Sequence, residues 1–204
     1  THDLDPINIT RRTEAHLANY LYARLLKLDS QSGFYRGDLA QRFEPVEGGL
    51  NITLRKDLRF HNGAPILADN IAEHWQRLLD NSDHYCDLYR LIDGIDIYDD
   101  YRFTIRSQKA AELLPKLMAN GPMGITLMDG NVVVGSGPFR LVEQSQWRTL
   151  LWVSPHYHGY RPWVDGIEVW NVGDNAKNFG ANSHLFHPLT QQPKTTQRYE
   201  RKVQ

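Results

Sequence analysis

Leu50–Leu79, LNITLRKDLRFHNGAPILADNIAEHWQRLL, changes its period halfway along. In the first half, Ile52, Leu54 and Leu58 lie between or beside Asn51, Thr53, Arg55 and Lys56, as in a strand buried on one face. His61-Asn62-Gly63-Ala64-Pro65 then signals a turn, because Asn-Gly tolerates positive φ and Pro65 cannot extend a central strand. From Ala68, the residues Ile71, Ala72, Trp75, Leu78 and Leu79 share one helical face, with Trp75 directed to the core. Asp69 and Glu73 fall near the positive end of that helix dipole. The stretch is a half-buried strand, a tight turn and an amphipathic helix.

The flanking segments repeat this mixture. Leu17, Leu21, Leu25 and Leu28 predict a helix over Thr10–Leu28, with Thr10 as N-cap and Glu14 near the first turn. Ile95 and Ile97, then Phe103 and Ile105, alternate with polar residues around Asp99-Asp100 and predict a hairpin. Ala110–Asn120 reads as a short helix closed by Gly121-Pro122. VVVGSGPFRLVEQ and WRTLLWV read as two strands and VDGIEVWNV as a third, whereas residues 173–204 are polar and aperiodic, a tail or linker. Separate helices and mainly antiparallel hairpins predict a mixed α/β (α+β) fold, not a doubly wound parallel sheet.

Composition limits the function. With 41% hydrophobic residues in 204, the chain can bury one core or two small ones sharing an interface. A net charge of -1 argues against a nucleic-acid groove or an anionic membrane as main partner. No apolar run is long enough for a membrane span. The single Cys86 leaves no internal disulfide and no cysteine zinc cluster. THDLDPINITRR at the start has no signal-peptide core, and the missing initiator Met suggests a processed or partial chain.

No nucleophile–base or metal-ligand signature stands out, so no enzyme activity and no cofactor are expected. GSGP, Gly135–Pro138, lacks the spacing of a nucleophile elbow or a dinucleotide loop, so its glycines serve backbone geometry. The pairs His156/His158 and His184/His187 are weak metal candidates, since no carboxylate or cysteine cluster accompanies them; the competing reading is surface-loop histidines. Arg11 and Arg12 are more informative. Two cations at a helix N-terminus oppose its dipole, and with Thr13 they become candidates to hold an anion beside free N–H groups. The alternative is a solvated salt bridge to Glu14. Trp147, after the polar EQSQ, is the candidate exposed tryptophan for stacking on a ligand.

These motifs, taken together, resemble family 5 solute-binding proteins, the dipeptide, oligopeptide and nickel receptors of ABC importers. LNITLRKDLRFHNGAPILADNIAEHWQRLL is similar to their strand–turn–helix segment, GSGPFRLVE to their Gly-Thr-Gly-Pro-Tyr strand, and PHYHGYRPWVDGIEVW to the Tyr-x-Gly…Pro…Asp-x-Ile segment that follows. The likeness covers about Asp5–Val172. Arg11-Arg12-Thr13-Glu14 and Gly159-Tyr160-Arg161 more closely resemble the ligand-binding half of SgrR-type transcriptional regulators. Leu67 departs from the pattern, standing where many members have a capping Thr.

The resemblance implies lobe I of a type II periplasmic-binding-protein-like fold, with residues 1–33 and 126–172 as its core and 34–125 as an inserted α+β subdomain. The second lobe is expected outside these residues. It further implies a small-molecule ligand in an interlobe cleft, and DNA contact only through a separate winged-helix domain. A regulator of this type would be cytoplasmic and respond to sugar phosphate. The alternative is a periplasmic importer receptor with an ABC permease as partner, and a more distant one is a metal-dependent hydrolase using the histidine pairs.

Overall fold

The computed structural model describes residues 4–82 and 84–170; His184, His187 and the segment read as a polar tail lie outside them. Helix α1 (Arg12–Leu21) is followed by β1 (Leu26–Leu28), β2 (Tyr35–Gly37), β3 (Ala40–Val46) and β4 (Gly49–Leu54). Next come α2 (Ala68–Asn81), α3 (Cys86–Tyr89), β5 (Gly94–Asp99), β6 (Arg102–Arg106) and α4 (Leu114–Met118). The described chain closes with β7 (Leu127–Asp129), β8 (Val132–Val134), β9 (Phe139–Gln144), β10 (Arg148–Val153) and β11 (Gly166–Trp170). The strand–turn–helix of the quoted stretch is present as β4, the Gly63 turn at φ 88, and α2.

Two apolar clusters form, on different sheets. Strands β3-β4-β6-β5 make one antiparallel sheet, with Ile52 opposite Phe103 and Leu50 opposite Ile105. Those side chains pack with Ile71 and Leu78 of α2 and Leu114, Leu117 and Met118 of α4, forming the larger cluster. Pro45 is accommodated because β3 is an edge strand. The smaller cluster joins Ala18 and Leu21 of α1 to Phe139 and Leu151, with Ile167 packed against it, on the β11-β10-β9 sheet. Trp75 is partly buried against the larger cluster, its indole N–H donating to Tyr89 O at 3.3 Å.

The first helix is shorter than its periodicity predicts. It ends at Leu21, Tyr22 is extended (φ -129, ψ 123), and Leu26–Leu28 form a strand instead. The reason is a competing donor pair. Continuing the helix would require Leu21 C=O to accept from Leu25, but it accepts from Ser136 N (3.1 Å) and Gly137 N (2.8 Å). Leu25 and Leu26 are thereby released into the larger cluster. The N-cap is Arg11, not Thr10, and no side chain caps the helix start. At α2 the cap missing at Leu67 is partly replaced, because Asn70 Oδ1 accepts the Leu67 N–H at 2.9 Å.

Two further expectations are corrected. The helix predicted over Ala110–Asn120 is a 3-10 turn at Ala111–Leu113 followed by α4, in which Pro115 occupies a first-turn position, and Gly121–Met123 adds a second 3-10 turn. VVVGSGPFRLVEQ is two strands, β8 and β9, interrupted at Gly135–Pro138. That interruption is a chain crossing. A Cβ on Gly137 would lie 2.5 Å from Leu21 C and from Tyr20 O, and one on Gly135 would lie 2.4 Å from Leu21 O. Close approach, not positive φ, is what requires glycine at both sites.

Ser136 completes this crossing. Its hydroxyl donates to Ile125 O (2.6 Å) and accepts from Ala23 N (3.1 Å) while buried. Ser136→Ala leaves a buried carbonyl and a buried amide unsatisfied, an expected cost of about 1–3 kcal/mol in urea unfolding. An unchanged midpoint would show that water or rearrangement replaces both bonds.

A polar chain anchors α2. Arg77 pairs with Asp5 (Nη2–Oδ1 3.1 Å) and donates to Thr126 Oγ1 (2.7 Å). His74 Nε2 lies 2.8 Å from Pro122 O, a carbonyl that can only accept, so Nε2 carries the proton. His74 Nδ1 then accepts from Thr126 Oγ1 at 3.0 Å. Burial lowers the His74 pKa to about 4, so the ring is neutral and this direction of bonding is internally consistent.

Candidate functional site

Arg11, Arg12 and Thr13 are all exposed at the start of α1. Arg11 reaches Glu14 at 3.8 Å, with Glu14 itself largely buried, so the ion pair weighed from the sequence is present. At that distance, with the arginine mostly in solvent, it contributes little. Arg12 forms no ion pair among the described residues. The N-cap Arg11 makes no side-chain cap hydrogen bond, and the Arg12 guanidinium faces water beside this helix start.

Trp147 sits elsewhere, at the tip of the β9–β10 hairpin, 60% exposed, in a turn closed by Ser145 Oγ to Trp147 N and Arg148 N at 3.3 and 3.0 Å. Two clefts on the described surface are lined by other residues and not by Arg11, Arg12, Thr13 or Trp147.

The histidine pair His156/His158 does not converge on a point. His158 Nε2 contacts Asp38 Oδ1 at 3.3 Å, whereas His156 Nε2 lies 3.6 Å from where a Gly63 Cβ would stand. Both occupy the loop between β10 and β11, not a strand; His156 is exposed there, but His158 is largely buried against Asp38, so the surface-loop reading holds for His156 alone. Among the described residues no group of three metal-ligating side chains is assembled.

The Asp38 node has no local signature. Its buried carboxylate takes His158, Lys27 Nζ (3.1 Å) and Arg24 N (3.3 Å), and Arg55 Nε donates to its backbone oxygen (2.7 Å). Desolvation pushes the Asp38 pKa up, but the hydrogen bond from His158 and the Lys27 charge outweigh it and hold the group below the usual range. Asp38 thus ties the β10–β11 loop to the unit carrying β1–β4. His61 makes a second tie. Its N–H donates to Gly135 O (2.9 Å) and its Nε2 to Gly137 O (3.0 Å), and burial lowers its pKa to about 4. The HNG turn, the GSGP crossing and the His156–His158 loop, far apart in sequence, meet in space. No local signal could have revealed this.

These are also the three motifs that carried the resemblance. The fold defined around them is that of bacterial solute-binding proteins. It superposes on NikA from Brucella suis in complex with Fe(III)-EDTA with a TM-score of 0.73 at 20% identity, covering 82% of this chain and 36% of that one. A dipeptide binding protein from Pseudoalteromonas sp. SM9913 in complex with Met-Leu gives 0.72 at 19% identity, covering 81% and 40%. At such identities these matches show the fold alone.

Residues 35–182 match the bacterial extracellular solute-binding proteins, family 5 Middle, and the chain belongs to that family. Among curated relatives, the HTH-type transcriptional regulator SgrR of Salmonella choleraesuis (strain SC-B67) is 23% identical over 92% of this chain. The uncharacterized protein YhjP of Bacillus subtilis (strain 168) is 27% identical over 81%. This chain spans 35% of the former's length and 29% of the latter's. No helix among the described residues is long and apolar enough to cross a membrane.

Proposed function

We propose that this chain is the first-lobe part of a solute-binding domain that senses a small anion, a sugar phosphate, within an SgrR-like cytoplasmic transcriptional regulator. The observation that carries the reading is the start of α1, where Arg11 and Arg12 stand in solvent at an uncapped helix N-terminus. In this reading α1 and β9–β11 belong to the lobe core, and residues 34–125 form an inserted subdomain. Ligand held between this lobe and a second one stabilises the closed form, so binding becomes a conformational signal instead of a reaction. DNA is contacted only by a separate winged-helix domain. The solved neighbours also include an oligopeptide-binding protein in complex with a nonapeptide and a NikA in complex with Ni(L-His)2, so an importer receptor is the competing proposal. A winged helix upstream in the parent chain supports the regulator; a signal or lipoprotein peptide supports the importer.

The reading has a direct test in the intact two-lobed protein. A charge-assisted contact contributes about 1.5–3 kcal/mol, so Arg11→Ala or Arg12→Ala is expected to weaken glucose 6-phosphate binding roughly ten- to a hundred-fold by calorimetry. Folding stability should hold, since both side chains are exposed. Equal affinity in both variants would make these arginines ordinary surface charge. No turnover of esters, peptides or phosphoesters is expected. Hydrolysis that disappears in His156→Ala would overturn the binding-only reading.

A further inference from the structure

The β9–β11 sheet has a second face. Leu151 is fully buried in the cluster with α1, and adjacent strand residues point to opposite sides, so Trp152 faces away from α1. Its register partners are Arg140 on β9 and Gly166 on β11. A Cβ on Gly166 would lie 2.7 Å from Trp152 Cε3, so the indole lies across the glycine as a fixed shelf, 45% exposed. The neighbouring Tyr157 is held similarly, since a Cβ on Gly159 would meet its ring at 2.7 Å. Burial, together with the Asp38 carboxylate, pushes the Tyr157 phenol up to about 12, so it is a neutral wall.

These rings border a cleft of about 400 Å³ whose lining includes Arg140 and Arg161 and no carboxylate. Arg161 is oriented by Asp165 and by Pro162 O (3.1 Å). Arg140 is exposed and engages no carboxylate among the described residues. Glycine-seated aromatic rings provide stacking surface, and an uncompensated guanidinium provides charge. From this juxtaposition we infer that the outer face of the β9–β11 sheet is a second ligand site, separate from the start of α1, for a small phosphate or carboxylate carried on a ring.

The probe is phenyl phosphate, titrated into the 204-residue chain by calorimetry and tryptophan fluorescence, with inorganic phosphate and phenol as single-feature arms. Phenyl phosphate should bind saturably and about ten-fold or more tighter than either arm. Arg140→Gln should weaken it at least about ten-fold, and Trp152→Leu should abolish the fluorescence change. Arg11→Ala should leave it unchanged, which separates this site from the proposed α1 site. Should Trp152→Leu fail to fold, the exposed Arg140→Gln and Arg161→Gln decide alone. No saturation by about 10 mM, or indifference to Arg140→Gln, overturns the inference. So does protection of Trp152 from acrylamide in the longer protein before any ligand is added, because the cleft is then a seam between parts of one chain.

Discussion

Gly137→Ala is expected to destabilise the chain by about 3 kcal/mol or more, enough to leave a small domain largely unfolded in mild urea. The added methyl would meet Leu21 C at 2.5 Å, Tyr20 O at 2.5 Å and Tyr22 N at 2.6 Å. All three are backbone atoms, so no rotamer change relieves the contact. Separating the chains instead breaks the bonds from Ser136 N and Gly137 N to Leu21 O, which end α1 and release Leu25 to the larger core. Gly121→Ala is the control, since a Cβ there meets nothing within 4 Å, and its cost should stay within about 0.5 kcal/mol. Equal urea midpoints for the two variants would mean that the crossing is looser than the geometry indicates.

The second large effect is acid sensitivity above the carboxylate range. His61 and His74 both titrate near 4 in the folded chain because burial disfavours the imidazolium, whereas in the unfolded chain they titrate near 6.5. A depressed folded pKa means that stability is fully present above about pH 6.5 and falls as pH drops towards 4. The slope is about 1.4 kcal/mol per pH unit per histidine, so roughly 2 kcal/mol each is lost by pH 5. Unfolding free energies at pH 7 and pH 5 measure it. His74→Gln, compared with wild type over that interval, should roughly halve the slope. A flat wild-type profile would show that one or both rings are hydrated in solution. Below pH 4 the lowered Asp38 adds a further loss of the same sign.

Local pattern was a good guide wherever local forces decide. The β4 alternation, the Asn62-Gly63 turn, the α2 stripe and the β5–β6 hairpin all stand as read, since each depends on residues a few positions apart. The end of α1 was not legible. Its leucine period continues through Leu28, and the groups that stop it, Ser136 N and Gly137 N, lie more than a hundred residues downstream. Strand β1 was hidden inside that predicted helix, and β2 and β3 were missed because FYRGDLAQRFEPV has weak alternation and a proline that only an edge position permits. Of the proposed site residues, Arg11 and Arg12 were visible because their charge opposes a helix dipole. Asp38, Trp152 and Tyr157 were not, because a carboxylate seated among distant cations, or a ring seated on a glycine of another strand, has no signature in either segment alone.

The proposed function places an anionic solute at the start of α1. It is tested by a paired calorimetric titration of glucose 6-phosphate and the dipeptide Met-Leu into a longer protein carrying both proposed lobes. Saturable heat is expected with the sugar phosphate, weakened by added salt because the contact is charge-based, and none with the dipeptide. Saturable binding of Met-Leu with no response to glucose 6-phosphate would contradict it.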